Sequence, residues 1–286
     1  MKRVFAIFAL VVTTAAGNCW AQDFRVPNSA TAGEDLSIAT SGNGKGTFYL
    51  VGPGASIKTE VALGEAIHLK SGDLRIAGGY LAILCSETCK STNFYVNAAA
   101  PATIAFLVHP SRVPVGRNDA VSGVALPFDR FHNLVLAPKN VNFQLVSKNA
   151  APFSHAARTQ DGIAWFRTAS GKAAGAVEAH ASLDDVTAKR AVQQVASEPC
   201  NLRINGQRTN GGIIVQTDPV RDCAGNVVPD GTIITFTASE ANGKDTVDAP
   251  IKQGVARVKM EAKGATVVSA ASGVVMGNDL RIEAQR

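Results

Sequence analysis

A period-two alternation of apolar and polar residues in short segments constrains the fold of this 286-residue chain more than any other feature. In residues 255–262, apolar side chains alternate with Arg257, Lys259 and Glu261. The same alternation recurs in residues 141–145, 234–238 and 280–285. Successive side chains of a β-strand point to opposite faces, so this pattern indicates half-buried strands. Turn-forming residues separate the segments, and many short strands of this kind predict an all-β fold of β-sandwiches.

An internal repeat divides the second part of the chain into two copies. Residues 129–133 match residues 222–226, and in each copy a phenylalanine follows ten residues after the motif. Residues 162–166 match residues 254–258, with a one-residue difference in spacing. The alanine–serine pair at 181–182 corresponds approximately to the pair at 271–272. The repeat therefore predicts that the alanine-rich stretch 173–181 is a strand, although its composition also suits a short helix.

The repeat and the chain length together predict three domains, which follow a signal peptide. The expected divisions are a signal peptide at residues 1–21, a first domain at 23–98, a middle domain at 100–196 and a last domain at 198–286.

The repeated Asp-x-x-x-Asn motif consists of Asp129 and Asn133 in one copy and of Asp222 and Asn226 in the other. Asp and Asn side chains can bind nearby backbone groups and stabilise a turn before the next strand. We therefore expect a structural role, and direct contact with a ligand or calcium is the alternative.

The first domain carries a different pattern. Tyr80 follows two glycines at the start of a late strand, which resembles the tyrosine corner of immunoglobulin-like sandwiches. The glycine-rich segment 42–47 joins two strands and is expected to form a hairpin turn.

The N-terminus resembles a signal peptide. Lys2 and Arg3 precede an apolar run of about 13 residues, which is too short to span a bilayer. Cleavage is expected after Ala21; an uncleaved anchor and lipidation of Cys19 are the alternatives. No later segment is apolar enough to cross a membrane, so we expect an exported protein that is periplasmic, secreted or associated with the cell surface.

Four cysteines remain after cleavage, and four allow three pairings. The most economical pairing joins Cys85 to Cys89 and Cys200 to Cys223, with one structural disulfide in each of two domains. A redox or metal-binding role for the first pair is the alternative, but the spacing is not Cys-x-x-Cys and no histidine lies nearby.

Residues 201–286 resemble an invasin/intimin-type bacterial Ig-like domain. The resemblance rests on Asp222, Gly225, Asn226 and Pro229, on the strand segments 233–236 and 254–258, and on Leu280 and Ile282. The middle domain resembles a degenerate copy, with His132 in the place of Gly225, and the first domain resembles the broader Ig-like class. The resemblance implies tandem immunoglobulin-like sandwiches that act as rigid spacers or display binding surfaces.

The sequence contains no motif for catalysis, and we expect no catalytic residue, cofactor or metal site. Four histidines, at 109, 132, 155 and 180, lie in the middle domain without the close spacing of metal ligands. The pair Asp184–Asp185 is expected at a solvated turn, with calcium as the alternative. Trp165 is expected to pack at a domain interface or on a sheet, and a stacking platform for a sugar or partner is the alternative.

Together these features predict an exported, non-enzymatic structural or adhesive protein. The alternative is a protein- or carbohydrate-binding subunit of a larger envelope or secretion assembly. The expected partner is a protein or a surface glycan. The mild positive charge is spread along the chain without a basic block, so nucleic acid is not expected.

Overall fold

The computed structural model describes residues 23–148 and 150–284. The predicted signal peptide, its cleavage site and Cys19 lie outside the described residues. The described residues form strands, turns and bends without a helix, as the alternation predicted. None of them therefore belongs to a helix long and apolar enough to span a membrane.

The strands follow one another along the chain in three groups. The first group is β1 Asp23–Arg25, β2 Ser29–Thr31, β3 Leu36–Ser41, β4 Lys45–Gly52, β5 Ala55–Ala62, β6 Ile67–Leu69, β7 Gly78–Cys85 and β8 Cys89–Asn97. The second is β9 Pro101–His109, β10 Arg112–Pro114, β11 Val121–Asp129, β12 Asn140–Ser147, β13 Ala150–Arg158, β14 Ala164–Thr168, β15 Gly175–Leu183 and β16 Val186–Val195. The third is β17 Pro199–Cys200, β18 Ile204–Thr209, β19 Gly212–Thr217, β20 Arg221–Asp222, β21 Ile233–Glu240, β22 Gly243–Pro250, β23 Arg257–Met260, β24 Thr266–Ser272, β25 Val275–Met276 and β26 Leu280–Ile282. We call these groups the first, middle and last sandwich.

The chain divides into two compact units, with the boundary between Ala99 and Ala100. The first unit holds a three-stranded sheet, β1-β3-β6, and a five-stranded sheet, β2-β8-β7-β4-β5. Phe48, Leu50 and Tyr80 are almost fully buried within this unit.

The glycine-rich segment 42–47 does not form the expected hairpin. It follows β3, which pairs with β1 and β6, and leads into β4, which pairs with β5 and β7. The segment therefore carries the chain from one sheet to the other. Gly42 and Gly44 have φ angles of 108° and 97°, which glycine adopts without the Cβ penalty.

The second unit contains the middle and last sandwiches, each with its own hydrophobic core. The middle sandwich consists of the sheets β14-β11-β9 and β10-β16-β15-β12-β13. The last consists of β18-β19-β23 and of β22-β21-β24, where β25 and β26 both pair with β24, together with the short pair β17-β20. The domain boundaries at residues 98–100 and 196–198 stay a prediction.

The alanine-rich stretch is a strand, as the repeat predicted. Residues 175–183 form β15, where Ala181 lies opposite Phe143 of β12. In the last sandwich Ala270 lies opposite Phe236, so the two copies correspond one residue earlier than the alanine–serine pairs suggested.

Candidate functional site

The Asp-x-x-x-Asn motif of the middle sandwich closes a tight loop after β11. The Asp129 carboxylate accepts hydrogen bonds from the backbone N–H groups of Phe131 and Asn133, both at 2.8 Å. Its second oxygen accepts a bond from the Asn133 side-chain amide at 2.9 Å. Asp129 is almost completely buried, so these donors compensate for its loss of hydration. This geometry supports the structural role.

The last sandwich repeats the same loop, with Gly225 at the position that His132 occupies in the middle sandwich. The Asp222 carboxylate accepts bonds from the backbone N–H groups of Ala224 and Asn226 at 2.9 and 2.8 Å. The residue before the asparagine has a positive φ in both copies: 66° at His132 and 87° at Gly225. The loop therefore requires a left-handed residue, which explains why glycine occupies this position in one copy.

The loop of the last sandwich also contacts the middle sandwich. The Asn226 side-chain amide donates to the carbonyl oxygen of Lys172 at 2.8 Å, and its oxygen accepts from the Ala174 N–H at 2.9 Å. The Ser197 N–H donates to Asp222 at 3.0 Å, and the Ser197 hydroxyl donates to the Val115 carbonyl at 2.6 Å. The loop that closes a turn in the last sandwich thus also joins this sandwich to the middle one.

The donors around Asp222 set its ionisation. Burial opposes the charged form, but hydrogen bonds from the Asn226 side chain and from the N–H groups of Ser197, Asn226 and Ala224 outweigh it and lower the pKa of Asp222. The negative charge is therefore a stable part of this junction at neutral pH.

A cavity of about 450 Å³ lies beside the same junction. Arg117, Lys172 and Glu198 contribute to its lining. The charges on these side chains are of both signs, so the cavity does not select strongly for a ligand of one charge.

An exposed apolar row crosses the outer face of the sheet β14-β11-β9. Val124 of β11 lies opposite Leu107 of β9 on one side and opposite Trp165 of β14 on the other. The Leu107 and Trp165 side chains are each 62% exposed. Trp165 is therefore not packed as expected, because its strand turns this side chain to solvent. We call Leu107, Val124 and Trp165 the apolar row.

The apolar row rests on a layer of buried aromatic rings. Phe106 and Phe166 point inward from the same two strands and are almost fully buried. The Phe143 ring lies between them, with ring centroids 5.9 Å from Phe106 and 4.9 Å from Phe166. A Cβ at Gly123 would collide with the Phe166 ring, so glycine allows the close packing beneath the row.

The sequence itself carries a signal for the apolar row. Phe106–Leu107 and Trp165–Phe166 are consecutive apolar pairs, which break the alternation of a half-buried strand. One member of each pair must face outward.

The histidines of the middle sandwich and the Asp184–Asp185 pair do not form a metal-binding cluster in the described part of the chain. Within residues 23–148 and 150–284, no three His, Cys, Asp or Glu side chains are close enough together to hold a metal ion. His180 contacts Glu178 at 3.2 Å, and the His155 ring stacks on Phe153. The Asp184–Asp185 pair forms the turn between β15 and β16.

The four cysteines form the two disulfides of the economical pairing. Cys85 and Cys89 are opposite each other at the end of the β7–β8 hairpin, with Cα atoms 4.0 Å apart. Cys200 and Cys223 connect the start of the last sandwich to its Asp–Asn loop, with Cα atoms 4.9 Å apart.

In the first unit, the Tyr80 hydroxyl donates to the Ile76 carbonyl at 2.9 Å, which is the bond of a tyrosine corner. Burial raises the pKa of this hydroxyl, so it remains a donor.

No protein-family model and no curated protein matches the sequence. Solved structures do match. The Escherichia coli adhesin FdeC shares 14% identity over 91% of this chain and 96% of its own, with a TM-score of 0.65. InvD of Yersinia pseudotuberculosis shares 11% identity over 89% of this chain and 94% of its own, with a TM-score of 0.52. Invasin, a bacterial integrin-binding protein, shares 9% identity over 93% of this chain and 60% of its own, with a TM-score of 0.50. The chain thus has the tandem Ig-like fold of bacterial adhesins of the invasin type.

Proposed function

We propose that the chain is an exported, non-enzymatic adhesive protein whose Ig-like sandwiches present the apolar row to a partner. The observation that carries the proposal is the 62% exposure of both Leu107 and Trp165 on one sheet face. The fold shared with bacterial adhesins supports the same function, although a fold alone does not fix function.

The chemistry of the apolar row suits an adhesive contact. Tryptophan is enriched among residues that contribute most to binding energy, because it buries a large area at a small cost in side-chain entropy. The next row of the same face carries Ser122 between His109 and Arg167, so polar donors border the apolar centre. This arrangement fits a protein surface, or the apolar face of a sugar ring with hydroxyl groups beside it.

The two disulfides support export. Disulfides persist in oxidising compartments and are rare in the cytosol, where thiols are kept reduced. We therefore place the protein in the periplasm, outside the cell or at the cell surface.

Binding of the purified chain to immobilised surface glycans, to an integrin ectodomain and to whole cells tests this function. Trp165→Ala is expected to weaken the binding at least tenfold, since an aromatic hot spot contributes about 2 kcal/mol or more. Met276→Ala is the matched control, because Met276 is 67% exposed on the last sandwich, outside the apolar row. Equal binding by the native chain and the Trp165→Ala variant would contradict the role of the row.

Affinity capture from the native envelope separates this function from the alternative. A stable complex with other exported proteins would indicate a subunit of a larger assembly, whereas binding to foreign cells or glycans supports adhesion.

A further inference from the structure

The walls of the cavity beside the junction are fixed by bonds between the segments that form them. The Gly116 N–H donates to the Gly171 carbonyl at 2.9 Å, which ties the segment of Arg117 to that of Lys172. Ser197 bonds the linker to both sandwiches, and the disulfide of the last sandwich fixes its Asp–Asn loop. Small-molecule sites are usually formed before the ligand arrives, and these bonds give the cavity that property.

Three charged side chains line the cavity without a partner of opposite charge. Arg117 and Lys172 belong to the middle sandwich, and Glu198 belongs to the linker between the sandwiches. Within residues 23–148 and 150–284, none of the three forms an ion pair. The Asp222 carboxylate also lines the cavity, but hydrogen bonds within the junction already occupy it. Two cations and one carboxylate are therefore available to a ligand.

The uncharged part of the lining is mainly apolar. Val115 and Pro199 contribute buried side chains, and Val275 contributes a half-buried one. The volume of about 450 Å³ lies within the range of about 300–1,000 Å³ that is usual for small-molecule sites. Such sites combine an apolar lining with a few polar groups that orient the ligand, and the junction cavity has both.

The lining defines the chemistry of a matching ligand. It needs an anionic group for Arg117 and Lys172, a cationic group for Glu198 and an apolar body. Net charge does not select such a ligand, but the placement of opposite charges on different segments does. A short peptide with free ends meets all three requirements through its carboxylate, its ammonium group and its apolar side chains. An acidic sugar meets only two, because its hydroxyl groups leave the charge of Glu198 without a counter-charge.

We propose that the junction cavity binds short apolar peptides whose two ends are free. The terminal carboxylate accepts hydrogen bonds from Arg117 and Lys172, and the terminal ammonium group donates to Glu198. An uncharged segment inside a longer chain lacks both terminal charges and is not expected to bind. The cavity is separate from the apolar row, so this binding goes beyond the proposed adhesive function.

The affinity is expected to be low. The Arg117, Lys172 and Glu198 side chains are exposed, and ion pairs in contact with water contribute little. We expect a dissociation constant of about 0.1–1 mM, which titration followed by NMR measures directly.

The experiment uses the full chain with both disulfides formed and the tripeptide alanyl-leucyl-alanine as the probe. We expect the methyl resonances of Val115 and Val275 to shift during the titration, while those of Leu107 and Val124 in the apolar row do not change. Amidation of the peptide carboxylate and acetylation of its amine are each expected to weaken binding about fivefold, because each removes one charge that the cavity complements.

Substitutions identify which end of the peptide meets which charge. Glu198→Gln is expected to weaken binding of the free tripeptide about fivefold and to leave binding of the acetylated form unchanged. The double variant Arg117→Gln, Lys172→Gln is expected to weaken binding of the free tripeptide and to leave binding of the amidated form unchanged. A merely structural effect would weaken the binding of every form alike. All three side chains are exposed, so these variants keep the hydrophobic cores.

The matched controls are Arg190→Gln and Glu261→Gln, which remove the same charges from exposed positions outside the cavity. Absence of methyl shifts up to about 10 mM peptide, shifts confined to the apolar row, or variants that weaken all peptide forms equally overturn the proposal. Tighter binding of glucuronic acid than of the tripeptide at the same methyl groups also overturns it, in favour of an acidic sugar. The Trp165 test concerns a different surface, so either test can fail without the other.

Discussion

At the scale of single residues, the two Asp–Asn loops show how one backbone geometry accepts different side chains. Both loops need a residue with positive φ, where an L-residue with a Cβ is strained and glycine is not. His132 accepts this strain and Gly225 avoids it. The sequence alignment identified the position but not its reason, because a backbone angle does not follow from residue type alone.

Reciprocal substitutions test this explanation. His132→Gly is expected to stabilise the chain by about 0.5 kcal/mol, the relief of strain less the entropy that glycine adds to the unfolded state. Gly225→Ala is expected to destabilise it by about 1 kcal/mol. No atom lies within 4 Å of a Cβ at Gly225, so the loss would come from the backbone and not from a collision. Urea unfolding measures both changes, and a stabilising Gly225→Ala variant would contradict the explanation.

The lowered pKa of Asp222 predicts how stability depends on pH. The unfolded chain binds this proton more tightly than the folded chain does, so the contribution of the carboxylate is present above its unfolded pKa of about 3.9. It is lost as the pH falls from there through the folded pKa. We call this fall in the free energy of unfolding at low pH the acid limb. Asp222→Asn is expected to destabilise the chain at pH 7 and to make the acid limb less steep.

The matched control is Asp185→Asn, which removes an acidic group from an exposed turn. It is expected to leave the acid limb unchanged in unfolding experiments between about pH 2 and pH 7. An acid limb as steep in Asp222→Asn as in the native chain would show that other carboxylates produce it.

At the scale of elements, the two disulfides close loops of very different length. In the chain-entropy model the bond from Cys200 to Cys223, with a sequence separation of 23, contributes about 3 kcal/mol. The bond from Cys85 to Cys89, with a separation of 4, contributes about 2 kcal/mol. Replacing Cys200 and Cys223 with serines should therefore lower the free energy of unfolding more than replacing Cys85 and Cys89. Urea titration of each double variant measures the two changes. The reverse order would show that native contacts near the Cys85–Cys89 hairpin dominate over loop entropy.

The sequence predicts which segments are strands far better than it predicts where they pair. Alternation predicted the strand segments near Phe143 and Phe236, and the repeat recovered β15 from an alanine-rich stretch, because both signals are local. The prediction of a hairpin at residues 42–47 was wrong, because a turn motif does not specify whether the next strand joins the same sheet. The exposure of Trp165 was missed for a related reason: which face of a sheet is covered depends on elements distant in sequence.

At the scale of the whole molecule, Asn226 connects the stability of the middle sandwich to that of the last. Its side chain closes its own loop by bonding Asp222, and it also bonds the backbone of Lys172 and Ala174. A domain junction held by hydrogen bonds couples the unfolding of its two sides, because each side loses these partners when the other unfolds. A coupled junction also fixes the direction in which the apolar row of the middle sandwich is presented relative to the last sandwich.

Asn226→Ala removes the two bonds that the Asn226 side chain makes across the junction, and we expect the middle and last sandwiches to unfold in separate transitions. Calorimetry of the full chain measures this as a broadening or splitting of the unfolding peak, at a total cost of about 1–3 kcal/mol from the unpaired backbone groups. Gly225→Ala is the control, because it strains the same loop and leaves the Asn226 side chain in place. If Gly225→Ala splits the transition to the same extent, loop strain rather than the junction bonds controls the coupling. If neither variant does, the two sandwiches are coupled through the Ser197 bonds that remain at the junction.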